Sequence, residues 1–115
     1  MLKTLVALLA TLALTLAHAV PARADNLTPS QVLTTCAGVY GTLAVYASPQ
    51  NQPVLRARAT QIMDRALTLN PNAATLALGL MDRNIARIRA NDPTVVEEIR
   101  GAEAYCSRHL PGLGL

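Results

Sequence analysis

The sequence predicts an all-α protein, a small four-helix up-down bundle stapled by one disulfide and preceded by a cleaved signal peptide. Three observations predict it. An uncharged apolar run follows Met1-Leu2-Lys3 and leads into two small-residue cleavage patterns. Apolar residues then recur at three- and four-residue steps in four segments separated by turns that contain Pro and Asn. The two cysteines, Cys36 and Cys106, fall in the apolar stripes of the first and last of those segments.

Lys3 supplies the positive start of the signal and Leu5 to Leu16 its apolar stretch. Ala17-His18-Ala19 and Ala22-Arg23-Ala24 are both cleavage patterns. Cleavage after Ala24 is preferred, because Pro21 ends the apolar helix and leaves an extended approach to the second site. The competing reading is a retained anchor, since the run lies near the lower length limit for crossing a bilayer. The division is therefore a signal peptide over 1–24 and a single helical domain over 25–115. A short signal and an Ala-rich mature chain whose cations are all Arg point to a bacterial periplasm or the outside of the cell, with no stable membrane anchor after cleavage.

The first helix is expected over about 29–47. Thr28-Pro29-Ser30-Gln31 is a capping box with Pro at the first helical position, and Val32, Cys36, Tyr40, Leu43 and Ala47 follow as a stripe. The turn from Ser48 to Pro53 leads to a helix over 53–69, striped by Leu55, Ala59, Ile62, Ala66 and Leu69. Asn70-Pro71 ends it. A third helix over 72–90 would turn Ala74, Ala77, Leu78, Met81, Ile85 and Ile88 inward. Asp92 then caps a fourth over 93–109, with Pro93 first and Val95, Ile99, Ala102, Cys106 and Leu110 as its stripe. Short connections set the first and last helices side by side, which agrees with pairing Cys36 and Cys106 in an oxidising compartment. Such a bond closes most of the mature chain, worth about 4 kcal/mol in the chain-entropy view.

Composition excludes several functions. The full chain carries +3, but Lys3 and Arg23 leave with the signal, so 8 of the 10 cations face 7 acids and about +1 remains. That balance, and only 3 Tyr with no Phe or Trp, removes the basis for nucleic-acid binding. After cleavage His109 is the only histidine, and the chain has no Gly-x-Ser-x-Gly elbow and no Gly-rich phosphate loop. Glu103 is the one charge within a core stripe, and it has no second carboxylate placed to work with it. A non-enzymatic protein with no cofactor is expected. The alternative is a metal or haem carrier using His109 with Met63, Met81 or the thiols, although the Cys-x-x-Cys-His motif is missing.

Two features exceed what a plain bundle needs. No charge occurs from Asn26 to Leu55, and the back of the first helix carries Thr34, Gly38, Gly41, Thr42 and Val45. Either that helix is surrounded by its own chain, or it is a surface for a homodimer or a protein partner. The third helix has a second stripe, Leu76, Leu80, Arg83 and Arg87, which reads either as a solvated basic face or as a grip for an amphipathic or anionic partner. Gly38, Gly41, Val45, Leu76, Leu80, Arg83 and Arg87 are accordingly the candidate partner surface.

Ala59, Ala66, Leu69 and Asn70-Pro71 look like the end of a tetratricopeptide repeat, but Pro93 falls where that repeat needs a mid-helix Ala, and there is no second copy. In size, export and cysteine count the chain resembles periplasmic acid-stress chaperones and, equally, small periplasmic immunity proteins that block toxins. No motif matches either residue by residue. Both resemblances imply protein binding without catalysis.

Overall fold

In the computed structural model the described residues are 26–115, so the expected signal peptide at 1–24 lies outside them. They form four helices, α1 (Pro29–Tyr46), α2 (Gln52–Leu69), α3 (Ala73–Arg89) and α4 (Val95–His109), closed by a 3-10 turn over Leu110–Leu113. The described residues contain no strand. None of these helices is long and apolar enough to cross a membrane.

The capping box holds as expected. Thr28 Oγ1 accepts from the Gln31 N–H at 3.2 Å, and the Thr28 N–H donates to Gln31 Oε1 at 2.9 Å. The other end of α1 is tied down from the next helix, because Gln52 Nε2 donates to the Ala44 carbonyl at 3.1 Å. That carbonyl is one of the last of α1, and its own helix end offers it only the long 3.4 Å bond from the Ala47 N–H.

The start of α4 differs from expectation. Asn91, at φ 58°, closes α3 with Asn91 N–H to Ile88 O and Asp92 N–H to Arg87 O. This pair of bonds is a Schellman ending, and Asn tolerates the left-handed conformation it requires. Asp92 therefore belongs to the turn rather than capping from position 92. Its Oδ1 accepts from the Thr94 N–H at 2.9 Å, and the helix begins at Val95. The tail turns back over α2, where Arg58 donates to the Leu115 carbonyl at 2.9 Å and Arg65 donates to that of Leu113.

Helix α1 occupies the centre. It packs on α2 most extensively, then on α3, then on α4, whereas α2 and α4 do not approach each other. The main core gathers Val32, Leu33, Cys36, Ala37 and Tyr40 of α1 with Ile62, Ala66, Ala73, Ala77, Cys106 and Leu110. A smaller cluster joins Val39 to Val95 and Ile99. The Cys36–Cys106 disulfide links α1 to α4 across a Cα–Cα distance of 5.8 Å, with both residues fully buried.

The apolar stripes of α1 and α4 face inward as expected. In α2, Leu69 does not, and is exposed. Helix α3 is turned part-way from its expected face: Ala77 is buried and Met81 and Ile88 pack inward as expected, but Ala73 and Asn84 are buried with them and Leu78 is 56% exposed. The first half of α3 has leucines at 76, 78 and 80, so its periodicity does not select one side. Backbone proximity selects it instead. A Cβ on Gly38 would lie 2.7 Å from Leu80 Cδ2 and 3.2 Å from the Ala77 carbonyl oxygen, and one on Gly41 would lie 2.5 Å from Met81 Sδ. The two glycines thus make the trough into which α3 settles. Next to them the buried Thr42 hydroxyl donates to the Gly38 carbonyl at 2.9 Å and accepts from Asn84 Nδ2 at 3.3 Å.

The same substitution should have opposite signs at two glycines. Gly38→Ala gains about 1 kcal/mol of helix propensity but forces a contact against backbone, so a net loss of about 1–2 kcal/mol is expected by denaturant unfolding. Gly101 is exposed within α4, with nothing within 4 Å of a built Cβ. Gly101→Ala should therefore stabilise by about 0.5–1 kcal/mol.

Candidate functional site

Six of the seven candidate partner residues separate into three groups. Gly38 and Gly41 are buried beneath α3, which the burial of α1 by its own chain accounts for, although Gly41 also lines a neighbouring hollow. Arg87 is committed internally. The remaining group of Leu76, Leu80 and Arg83 lies along one groove between α3 and the first turns of α1.

That groove has a volume of about 500 Å³. Leu27, Gln31, Thr34 and Thr35 line it from the α1 side, and Thr75, Leu76, Gly79, Leu80 and Arg83 from α3. Helical geometry explains the α3 set, since residues three and four apart share a face. Gly79 leaves the groove unfilled, because a Cβ there would meet nothing within 4 Å. Leu76 is 55% exposed and Leu80 is half-buried against Gly38. Arg83 is exposed and makes no hydrogen bond or ion pair among the described residues. Thr34 Oγ1 is buried in the groove wall without a hydrogen-bond partner among the described residues. Leaving a buried hydroxyl unsatisfied costs about 1–3 kcal/mol, so a ligand that reached it would recover part of that cost.

Four residues along the helix, Arg87 does different work. Its Nε donates to Asp92 Oδ2 at 2.7 Å, while Nη1 and Nη2 donate to the two carboxylate oxygens of Glu98 at 2.6 and 3.0 Å. Nη2 also donates to Thr94 Oγ1 at 3.0 Å. One guanidinium thus ties the end of α3 to the turn and to the first turn of α4, using the planar fork that lysine lacks. These bonds hold the Asp92 carboxyl down to about 2, first through Arg87 and then through Thr94. Glu98 is lowered chiefly by the same arginine.

The remaining candidates are dispersed. Val45 lies on the rim of another hollow, and Met63 and Met81 meet there beside Gly41 and Ala59. His109 is elsewhere, its ring 4.1 Å from that of Tyr105, so the structure does not bring the histidine together with the methionines. Both thiols are used in the disulfide. Among the described residues no group of three or more His, Cys, Asp or Glu side chains is placed to hold a metal ion. Glu103 is half-buried on the edge of a third hollow and has no hydrogen bond or ion pair among the described residues.

Sequence reasoning missed Thr34, Gln31 and Leu27 as partners of the Leu76–Arg83 stripe. The signal was available in the uncharged back of α1, but joining it to α3 required knowing which face of α3 turns inward. No protein-family model, curated protein or solved structure matches the chain.

The Arg87 cluster sets a pH dependence. A carboxyl lowered in the folded state stabilises fully above its unfolded value, and that contribution is lost as pH falls through the folded value. The usual value for Asp92 is 3.8 and the folded value about 2, so the loss falls between about pH 4 and pH 2, with Glu98 adding in the same direction. Arg87→Gln should be less stable than the natural protein at neutral pH, and thermal melts should show that gap closing over this range. A gap independent of pH would contradict the assignment.

Proposed function

We propose that the protein acts by binding another protein, without catalysis, in the periplasm or outside the cell, and that the α1–α3 groove holds the partner. The observation that carries this reading is Arg83. It is a guanidinium without a partner among the described residues, in a groove of mixed lining to which Leu76 and Leu80 contribute apolar surface on the α3 side. Arg87 on the same helix is fully engaged, so the contrast is not a general feature of this basic face. A cation beside apolar surface suits an amphipathic segment that carries a carboxylate next to aliphatic side chains. The unsatisfied Thr34 hydroxyl adds a polar group that such a segment, or its backbone, can meet. Chaperone-like and immunity-like roles are both forms of this activity.

A photo-reactive residue in place of Leu76 tests the proposal in the exporting cell. One dominant cross-linked partner is expected, and Arg83→Glu should lower its yield about tenfold, equivalent to about 1.4 kcal/mol, with helix content unchanged. The same probe at Leu78, on a different side of α3, should not give that adduct. Equal yields with and without Arg83→Glu would refute the proposal.

A further inference from the structure

The hollow beside Glu103 calls for an occupant of its own. It has a volume of about 390 Å³ and is lined by Leu43, Tyr46, Ile88 and Val96, with Arg100 and Glu103 along its α4 side. Tyr46 is 50% and Val96 52% exposed, so apolar surface from two helices is left open to water at one place. Glu103 is half-buried beside it and has no ionic or hydrogen-bonding partner among the described residues. Among the described residues Arg100 reaches only Glu97, at 3.2 Å, and both side chains are at least 70% exposed. An exposed pair of this spacing is worth a few tenths of a kcal/mol, so Arg100 can be re-aimed at little cost.

The two charges have opposite signs and lie one helical turn apart on the same side of α4. When two copies of one helix pack antiparallel about a two-fold axis, the residue numbers that face each other have a constant sum. With the axis between Gly101 and Ala102, Arg100 of each copy faces Glu103 of the other, and the pairing occurs twice. A two-fold contact requires a patch complementary to itself, and this one has an apolar hollow beside two charges that exchange partners across the axis. We propose that the occupant is a second copy of this chain, with α4 packed against α4 and each Glu103 meeting the partner copy's Arg100. The contact gives the half-buried carboxylate a cation that the described residues of its own chain do not provide, and it covers Val96 and Tyr46. It is separate from the Leu76–Arg83 groove and does not rest on it.

Charge exchange tests the register. Sedimentation equilibrium of the oxidised protein should show a dimer, and Arg100→Glu or Glu103→Arg alone should weaken it at least tenfold, because each places two like-charged pairs at the axis. The double variant R100E/E103R should restore it. An equimolar mixture of the two single variants should form a heterodimer, readable by native mass, since both of its cross-axis pairs are then attractive. Arg83→Glu should leave the dimer unchanged, which separates this proposal from the partner groove. A natural protein that stays monomeric up to about 1 mM would overturn the proposal, as would single variants that dimerise normally or a mixture that does not recover.

Discussion

Helix α1 is packed by each of the other three helices, and that position dictates what its residues can be. A surface helix keeps one solvated side for charged residues, but α1 has almost none to spare, so a Lys or Glu there would be desolvated without a partner. Apart from the Gln31 amide in the capping box, its polar side chains carry hydroxyls, and Thr42 bonds locally to the Gly38 carbonyl. Its glycines stand where α3 comes closest. Each weakens the isolated helix by about 0.8–1.0 kcal/mol, which close packing in the assembled fold offsets. Cys36 then fixes the same helix to α4 covalently, so the element least suited to stand alone is the one most constrained by its neighbours.

The same constraint moves binding chemistry outward. With Gly38 and Gly41 covered, the proposed recognition falls to the seams where the outer helices meet α1. The arginines divide according to their surroundings. Arg58 and Arg65 hold the chain's tail to α2, and Arg87 locks the α3–α4 turn. Arg83 remains beside an open groove, and Arg100 has only a loose surface contact.

Much of the fold was legible in the sequence because its signals are local. Thr28 to Gln31 form the capping box they spell, and the α4 stripe from Val95 to Leu110 is the face that is buried. The cysteines paired as their positions in two apolar stripes implied. The orientation of α3 was legible only in part, through Ala77, Met81 and Ile88, because leucines at 76, 78 and 80 surround its first half and the buried Asn84 interrupts the apolar pattern. Its true face depends on the close fit to two glycines about 40 residues earlier, a tertiary fact that periodicity does not encode. Arg87 read as a candidate grip for the related reason that its ligands, Asp92 and Glu98, lie across a turn whose Schellman geometry had to be seen. Half of the candidate site, Leu76 to Arg83, was visible as a stripe, whereas its opposite wall on α1 emerged only with the packing.

Amide hydrogen exchange tests the central position of α1 most directly. In the oxidised protein the amides from Val32 to Ala44 should be the slowest in the molecule, exchanging only through global opening. Amides on the outer sides of α3 and α4 should exchange earlier through local opening. Exchange in α1 as fast as in α2 or α3 would contradict the account, because a helix that opens independently is not the one on which the others depend.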